Sequence, residues 1–336
     1  MARTLSGSVR SRTVESSTAA PAFAELEQHR RELTAYCYRM LGSPFDAEDA
    51  VQDTLVRAWR SIDRFEGRAA LRSWLYRIAT NVCFDMLAAG RKRARPMDLG
   101  PSREPVAENL NTLPETTWLE PVPDALVGGD GDPAETAVAR ETIRLAFVAA
   151  LQQLPPRQRA SLILCEVLHW RASEVAELLE TSVASVNSAL QRARATLAER
   201  NAAPEEAPPL DDEARALLDR YVAAFEAYDI EALTDLIRED ATQSMPPFDL
   251  WLHGRDDIFT WWLGPGIGCK GSRMVPAGAA NGRPAFGQYK PSPNGGYEPW
   301  ALQVIELSGG RIAELTFFLG TETLFPLFGL PLRLDA

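Results

Sequence analysis

Trp74, Arg77, Asn81 and Phe84 stand at i, i+3, i+7 and i+10, which is one stripe of an α-helix. An aromatic ring can stack on an unpaired base, for roughly 1–3 kcal/mol each. An amide can read a base edge, and a guanidinium can hold a phosphate. The chemistry in this stripe is contact with opened nucleic acid. Trp74 is equally readable as half-buried core. The helix ends near Gly90 in a basic run, Arg91-Lys92-Arg93-Ala94-Arg95, which reads as a phosphate clamp.

A second constellation lies in Ala172–Glu199. Ser173 is placed to cap a short helix with Val175, Ala176 and Leu179 inward. The turn Glu180-Thr181-Ser182 leads to a second helix with the apolar stripe Val183, Val186, Leu190, Ala193 and Leu197. Its opposite side shows Ala184, Ser185, Ser188, Gln191 and Arg192, flanked by Asn187 and Arg194. Small and polar residues at a helix start allow close approach to base edges in the major groove. Arginines further along can reach guanine or phosphate. An ordinary helical hairpin with a solvated face is the plainer reading. Glu180 fills a turn position often held by glycine, at a cost on the order of 1 kcal/mol.

These residues need elements to hold them. Phe23, Leu26, Leu33, Cys37 and Met40 follow helical spacing up to a break at Gly42-Ser43-Pro44. Asp46 is placed to cap the next helix, where Val51, Leu55, Ala58 and Ile62 share a face. The loop Asp63–Arg68, with Gly67, precedes the stripe-bearing helix, whose apolar face is Leu71, Leu75, Ile78, Val82 and Met86. Residues 96–137 are rich in proline and acids and show no period, which predicts a flexible linker. Helices resume at about Glu135, break at Pro155-Pro156, and return near 157–168, 173–179 and 183–199. A second linker covers 201–212. An amphipathic helix with Leu217, Leu218, Tyr221, Val222 and Phe225 then opens a third module. A short helix near 230–238 follows, then strands, of which Ala301–Leu307 and Ile312–Leu319 are clearest, joined by Ser308-Gly309-Gly310.

The chain has 336 residues, 46% hydrophobic and 24% charged, which suits two or three domains. No apolar run approaches the ~18 residues of a membrane helix. Residues 1–20 lack an apolar h-region and read as a disordered tail. The four cysteines form no CxxC pair, so neither a zinc site nor a disulfide framework is expected, and a cytoplasmic location fits. Net charge is −11, which argues against nucleic acid until its distribution is seen. Residues 1–95 carry +5 and 138–200 carry +2, whereas 96–137 carry −8 and 201–336 carry −10. Two mildly basic modules are separated by an acidic tether and followed by an acidic module.

The block from Asp46 to Trp59, DAEDAVQDTLVRAW, resembles region 2.2 of the sigma-70 family. Phe65-Glu66-Gly67, the stretch Leu71 to Asn81 and Asp85 resemble regions 2.3 and 2.4 of its extracytoplasmic-function (ECF) branch. Leu154-Pro155-Pro156-Arg157-Gln158-Arg159 resembles the start of region 4. The string Ser182 to Arg194 is similar to the subgroup that carries a SnoaL-like C-terminal domain. The resemblance implies that Asp49, Gln52, Asp53, Arg57 and Trp59 dock on the clamp helices of the β′ subunit of core RNA polymerase, whose β and β′ subunits are the expected partners. Trp59 is equally open to a core reading. The resemblance also implies that Arg72, Trp74, Arg77, Asn81, Phe84, Arg91, Lys92 and Arg93 handle a −10 promoter element, with the loop Asp63–Arg68 bordering a flipped-base pocket. Ser182, Ala184, Ser185, Asn187, Ser188, Gln191, Arg192 and Arg194 would read a −35 element. In this family the linker threads the polymerase cleft, where a polyanionic strand can mimic RNA.

Residues 213–331 resemble the SnoaL-like, NTF2-like fold. The resemblance rests on the opening helix, on Leu252-His253-Gly254-Arg255-Asp256-Asp257-Ile258 and on two closing strands. The expected architecture is therefore two all-α sigma domains, 21–95 and 138–200, plus a C-terminal α+β cone, 213–336, with a curved antiparallel sheet. Enzymes of this fold use a pocket acid or base, and Asp249, His253 and Asp256 qualify by residue type alone. Fold does not imply function. No catalytic residue, cofactor or metal is expected. The leading reading is a sigma factor that directs core polymerase to promoter DNA, with the acidic module packing on the sigma domains and regulating them. Asn294-Gly295-Gly296 or the tail 325–331 could supply such contacts. A stand-alone helix-turn-helix regulator is one alternative. Catalysis or sensing of a small-molecule ligand in the C-terminal pocket is another.

Overall fold

Glycine stops the first long helix and serine starts the next. The computed structural model describes residues 23–65, 70–88, 92–128, 142–199 and 211–335. The expected N-terminal tail, Arg91, Gly67, the helix start near Glu135 and residues 201–210 lie outside these. Helix α1 (Phe23–Glu27) leads into α2 (Arg30–Leu41), which Gly42 ends at φ 75° with its N–H on the Tyr38 carbonyl. A Cβ on Gly42 would lie 2.6 Å from Leu119, so this close approach also requires glycine. Helix α3 (Pro44–Ser61) is capped by the Ser43 hydroxyl, which accepts from the Asp46 N–H. Ser43, not Asp46, is thus the cap, because Pro44 already fills the first helical position. Helix α4 (Leu71–Ala88) packs on α2 and α3.

Residues 96–128 depart from the expected featureless tether. They carry α5 (Pro96–Leu99) and α6 (Asp124–Val127), and Trp118, Leu119 and Val122 are buried. Ala94 and Trp118 form a parallel bridge. The reason is apolar: Leu119 and Val122 join the core of the helical modules, and the surrounding prolines and acids hid them from a composition reading.

The second module comprises α7 (Leu145–Gln152), α8 (Pro156–Leu162) with a π-helical turn Ile163–Val167, α9 (Ala172–Leu178) and α10 (Val183–Glu199). The Glu174 carboxylate, rather than Ser173, satisfies the start of α9 by accepting from the Arg171 N–H at 2.8 Å. Glu180 takes φ 51° in the turn, as the non-glycine position required. The Ser182 hydroxyl then accepts from the Ser185 N–H and caps α10. The two helical modules share one apolar core. Buried Arg159 of α8 ties them together by donating to the Met40 carbonyl and to Gln152. Burial pulls its guanidinium down to about 10.

The third module opens with α11 (Asp212–Ala227) and α12 (Ile230–Leu236), each capped by an aspartate, Asp211 and Asp229. Strands β1 (Ile237–Ser244), β2 (Trp251–His253), β3 (Arg273–Ala280), β4 (Arg283–Pro291), β5 (Tyr297–Ser308) and β6 (Arg311–Phe318) form one sheet in the order β2-β1-β6-β5-β4-β3. Helix α13 (Arg255–Leu263) follows β2, and α14 (Thr321–Leu327) follows β6. The sheet is mixed rather than wholly antiparallel, since β1 and β6 run parallel. The long excursion between them supplies the crossover that a parallel pair needs. One face packs on α11 to α13; the other packs on α14 and also meets Phe45 of α3 and Leu145 of α7. The third module therefore lies against both helical modules.

Candidate nucleic-acid interface

Helix α3 buries Val51, Leu55 and Ala58 and turns its other side outward. Asp49, Gln52, Arg57 and Trp59 are exposed there, with Asp53 half-buried. Trp59 is 50% exposed, which decides against the core reading. It meets Phe23 edge-on at 5.7 Å, and Val56 is exposed beside it. Phe23 and Val56 extend this apolar patch; helical spacing alone had assigned Phe23 inward. Arg57 pairs with Asp53 at 2.8 Å and Asp85 at 3.2 Å.

On α4, Asn81 is exposed and Trp74 is half-buried against Phe65, ring centroids 5.1 Å apart. Three further members of the set touch the second module. The Arg72 guanidinium lies over the Trp170 ring at 5.5 Å and pairs with Glu32 at 2.6 Å. Arg77 faces Glu177 of α9, 3.5 Å from its carbonyl. Phe84 sits beneath Arg157 of α8. The stripe is thus assembled and partly covered. Of the residues that cover it, Trp170 and Glu177 carry no sequence signal of their own, and Arg157 belongs to the motif resembling the start of region 4.

The basic run divides. Lys92 is exposed, but Arg93 is buried, and this corrects its reading as a phosphate clamp. Its guanidinium donates to Asp46 at 2.7 Å, to Glu120 at 3.2 Å and to the Trp118 carbonyl at 2.7 Å. Acceptors on two separate segments fix it inward. Arg95 pairs locally with Asp98. Burial raises the Glu120 carboxyl above its ordinary value despite its partners Ser43 and Arg93.

The polar face of α10 is open. Ser182, Ala184, Ser185, Asn187, Gln191, Arg192 and Arg194 are exposed and Ser188 is half-buried. Arg192 donates to the Ser188 hydroxyl at 2.6 Å, and Arg194 pairs with Glu166.

The third module shows a different chemistry. Inside its helix-covered sheet face, Tyr221 donates to Gln303 at 2.8 Å, Gln303 to Gln288 at 2.9 Å, and Gln288 to Ser272 at 2.9 Å. Trp262 donates to Gln243 at 2.7 Å. Burial pushes the Tyr221 phenol well above its ordinary value, so it stays neutral and donates. This chain is built of uncharged groups. Asp249 lies elsewhere, paired with Arg103 of the linker at 2.6 Å, and His253 and Asp256 are exposed.

A hairpin tip of the third module, Asn281-Gly282 between β3 and β4, reaches into the others. Asn281 is 1% exposed, and its amide donates to the Tyr38 hydroxyl at 2.7 Å and to the Ile143 carbonyl. Its side-chain oxygen accepts from the Val122 N–H at 3.0 Å. The Gly282 N–H donates to Asp124 at 2.8 Å. Glu306 of β5 pairs with Arg144 at 2.6 Å and with Arg283. The expected contact residues behave otherwise. Gly296 lies against Leu334, and Phe325 and Leu330 are buried in the module's own core. The Asn-Gly pair, with φ 53° and 74°, was the available sequence signal for this turn.

Helix α10 presents an open polar face and α4 an aromatic and amide stripe, and an acidic linker joins the modules that carry them. Family models agree: sigma-70 region 2 matches residues 26–93, sigma-70 region 4 matches 144–197, and a SnoaL-like domain matches 218–315. The chain is 45% identical over 313 residues to the ECF RNA polymerase sigma factor SigG of Mycobacterium tuberculosis, spanning 92% of this chain and 83% of that relative. It is 31% identical to SigJ of the same organism over 65% of this chain and 63% of SigJ. The crystal structure of SigJ matches the fold with a TM-score of 0.58 at 23% identity, over 93% of this chain and 100% of that one. The chain belongs to the ECF family of RNA polymerase sigma factors, and its function is to direct the polymerase to promoters. Among the described residues no helix is long and apolar enough to cross a membrane.

Proposed function

We propose that α10 reads the −35 element, that the α4 stripe engages the −10 element, and that the outer face of α3 docks on the β′ subunit of core polymerase. In the free chain the third module holds the two sigma modules closed, acting by packing rather than by catalysis. The observation that carries this is the Asn281-Gly282 tip, which bonds α2, the linker and the start of the second module at once. The covered state of Arg72, Arg77 and Phe84 supports it. So does the uncharged interior of the third module, where Asp249 is engaged by Arg103 instead.

Geometry gives the closed form its meaning. Promoter elements about 25 base pairs apart lie roughly 85 Å apart on B-DNA at about 3.4 Å per base pair. Modules that share one core cannot reach both, so initiation requires them to separate. The test is reconstitution with core polymerase on a cognate promoter. The full chain forms open complexes only as holoenzyme. Deleting residues 205–336 alters transcript output while core binding survives. Failure of the full chain to co-purify with core polymerase rejects the assignment. The open face of α10 keeps one other reading in view, a stand-alone duplex binder. Tight, sequence-specific binding without polymerase would favour it.

A further inference from the structure

The linker does not merely cross the surface of the third module; part of it is bonded there. The Trp251 carbonyl accepts from the Arg103 N–H at 3.2 Å, and the Trp251 indole N–H donates to the Gly100 carbonyl at 2.9 Å. The Asp249 N–H donates to the Asn111 carbonyl at 3.0 Å, and the Leu113 N–H donates to the Pro247 carbonyl at 3.1 Å. Thr112 and Phe248 face each other in an antiparallel bridge. Leu110 packs on the core of the third module. The linker thus lies along 247–251 as an added strand, held mainly through backbone groups.

Charge opposes this contact. Residues 96–137 carry −8 and residues 201–336 carry −10. Arg103 is the single basic residue in the linker, and it is the one that pairs, with Asp249 at 2.6 Å. Backbone bonds and one ion pair therefore hold two segments of like sign together. Such a contact is specific in register yet weak, and a positively charged partner surface competes for the linker with the advantage of sign. The same segment joins the two sigma modules, so it must change path when they separate.

We propose that residues 247–251 form a docking strip whose ligand is the chain's own linker, residues 100–113, and that binding of core RNA polymerase strips the linker from it. The inference rests on the closed-to-open reading above. It adds a second grip on the tether, at residues 100–113, apart from the bonds of the Asn281-Gly282 tip to Val122 and Asp124. An occupied strip holds the linker folded; a vacant strip marks the polymerase-bound form.

A disulfide reports the contact. Residues paired in an antiparallel bridge fall within the Cα separation a disulfide accepts, about 4.4–6.8 Å. The T112C/F248C chain, oxidised alone, forms the crosslink rapidly. Pre-binding saturating core polymerase lowers the initial crosslinking rate at least ~10-fold, the occupied-strip population falling accordingly. Either single-cysteine variant sets the background. A rate unchanged by core polymerase overturns the proposal. Wild-type chain gives an independent reading by hydrogen exchange. The Asp249 amide is protected in the free chain and exchanges at least ~10-fold faster in the holoenzyme if the strip empties. A chain that binds core polymerase and drives transcription while this amide stays protected keeps the parent reading and rejects this one. A chain that fails to bind core polymerase rejects both.

Discussion

At the scale of single residues, Arg93 shows why type and neighbourhood in sequence differ from role. It sits in a basic run, yet its guanidinium is enclosed by Asp46, Glu120 and the Trp118 carbonyl. Truncating one partner of a buried pair leaves the others uncompensated, at about 3–5 kcal/mol. Arg93→Ala should therefore lower the denaturation midpoint sharply. The salt slope of promoter binding should stay as in wild type, whereas losing a phosphate contact would reduce it by ~1. Glu120 adds a pH signature. Burial raises its folded-state carboxyl above the ordinary 4.5. The folded form then binds the proton more readily than the unfolded form. Stability contributed by this site is highest below 4.5 and is lost as pH rises through the raised folded value. Glu120→Gln should flatten that slope in denaturation curves taken across the window. An unchanged slope would mean that another group titrates there.

At the scale of elements, what was legible followed from local rules. The stripe on α4, the turn before α10 and the Ser308-Gly309-Gly310 hairpin need only helical period or positive-φ turns, with Gly309 and Gly310 at 59° and 70°. The folded state of 96–128 was not legible. Trp118, Leu119 and Val122 are scattered among prolines and acids, and their burial depends on Gly42 and α2, far away in sequence. Parallel pairing of β1 with β6 is likewise a long-range fact. The cover over Arg72, Arg77 and Phe84 belongs to this class too, because Trp170 and Glu177 read as ordinary helix-hairpin residues. The exposed face of α10 allows the clearest element-level test. Arg192 is held toward Ser188 and solvent rather than in an ion pair. Arg192→Ala should weaken binding of holoenzyme to −35 duplex by about 1–3 kcal/mol if it reads a base, or reduce the salt slope by ~1 if it holds phosphate. Filter binding across a salt series separates the two. Wild-type affinity and slope would remove Arg192 from the interface.

At the scale of the whole molecule, three modules are closed on one another, while the proposed reading of two promoter elements asks two of them to part. The latch is small. Asn281 makes three side-chain hydrogen bonds, to Tyr38, Val122 and Ile143, all buried. At about 0.5–1.5 kcal/mol each they sum to roughly 1.5–4.5 kcal/mol, or ~10–2000-fold in an open-to-closed ratio. Asn281→Gly removes the amide but tolerates the φ of 53°, so the hairpin survives and only the latch is lost. Donor and acceptor dyes at Arg60→Cys in α3 and Ala198→Cys in α10 report the separation of the sigma modules. The wild-type background should give high transfer alone and low transfer once core polymerase is bound. The Asn281→Gly chain should show a low-transfer population before any polymerase is added, and a faster rise of open complexes after it. The tip cannot be the latch if its transfer distribution alone matches wild type. If core polymerase leaves the wild-type transfer high as well, the modules read the promoter without separating, and the closed form has no regulatory meaning. A latch of this size also fits the need for reversibility. Contacts several times stronger would hold the chain shut against polymerase, and weaker ones would leave the α4 stripe open in the free chain.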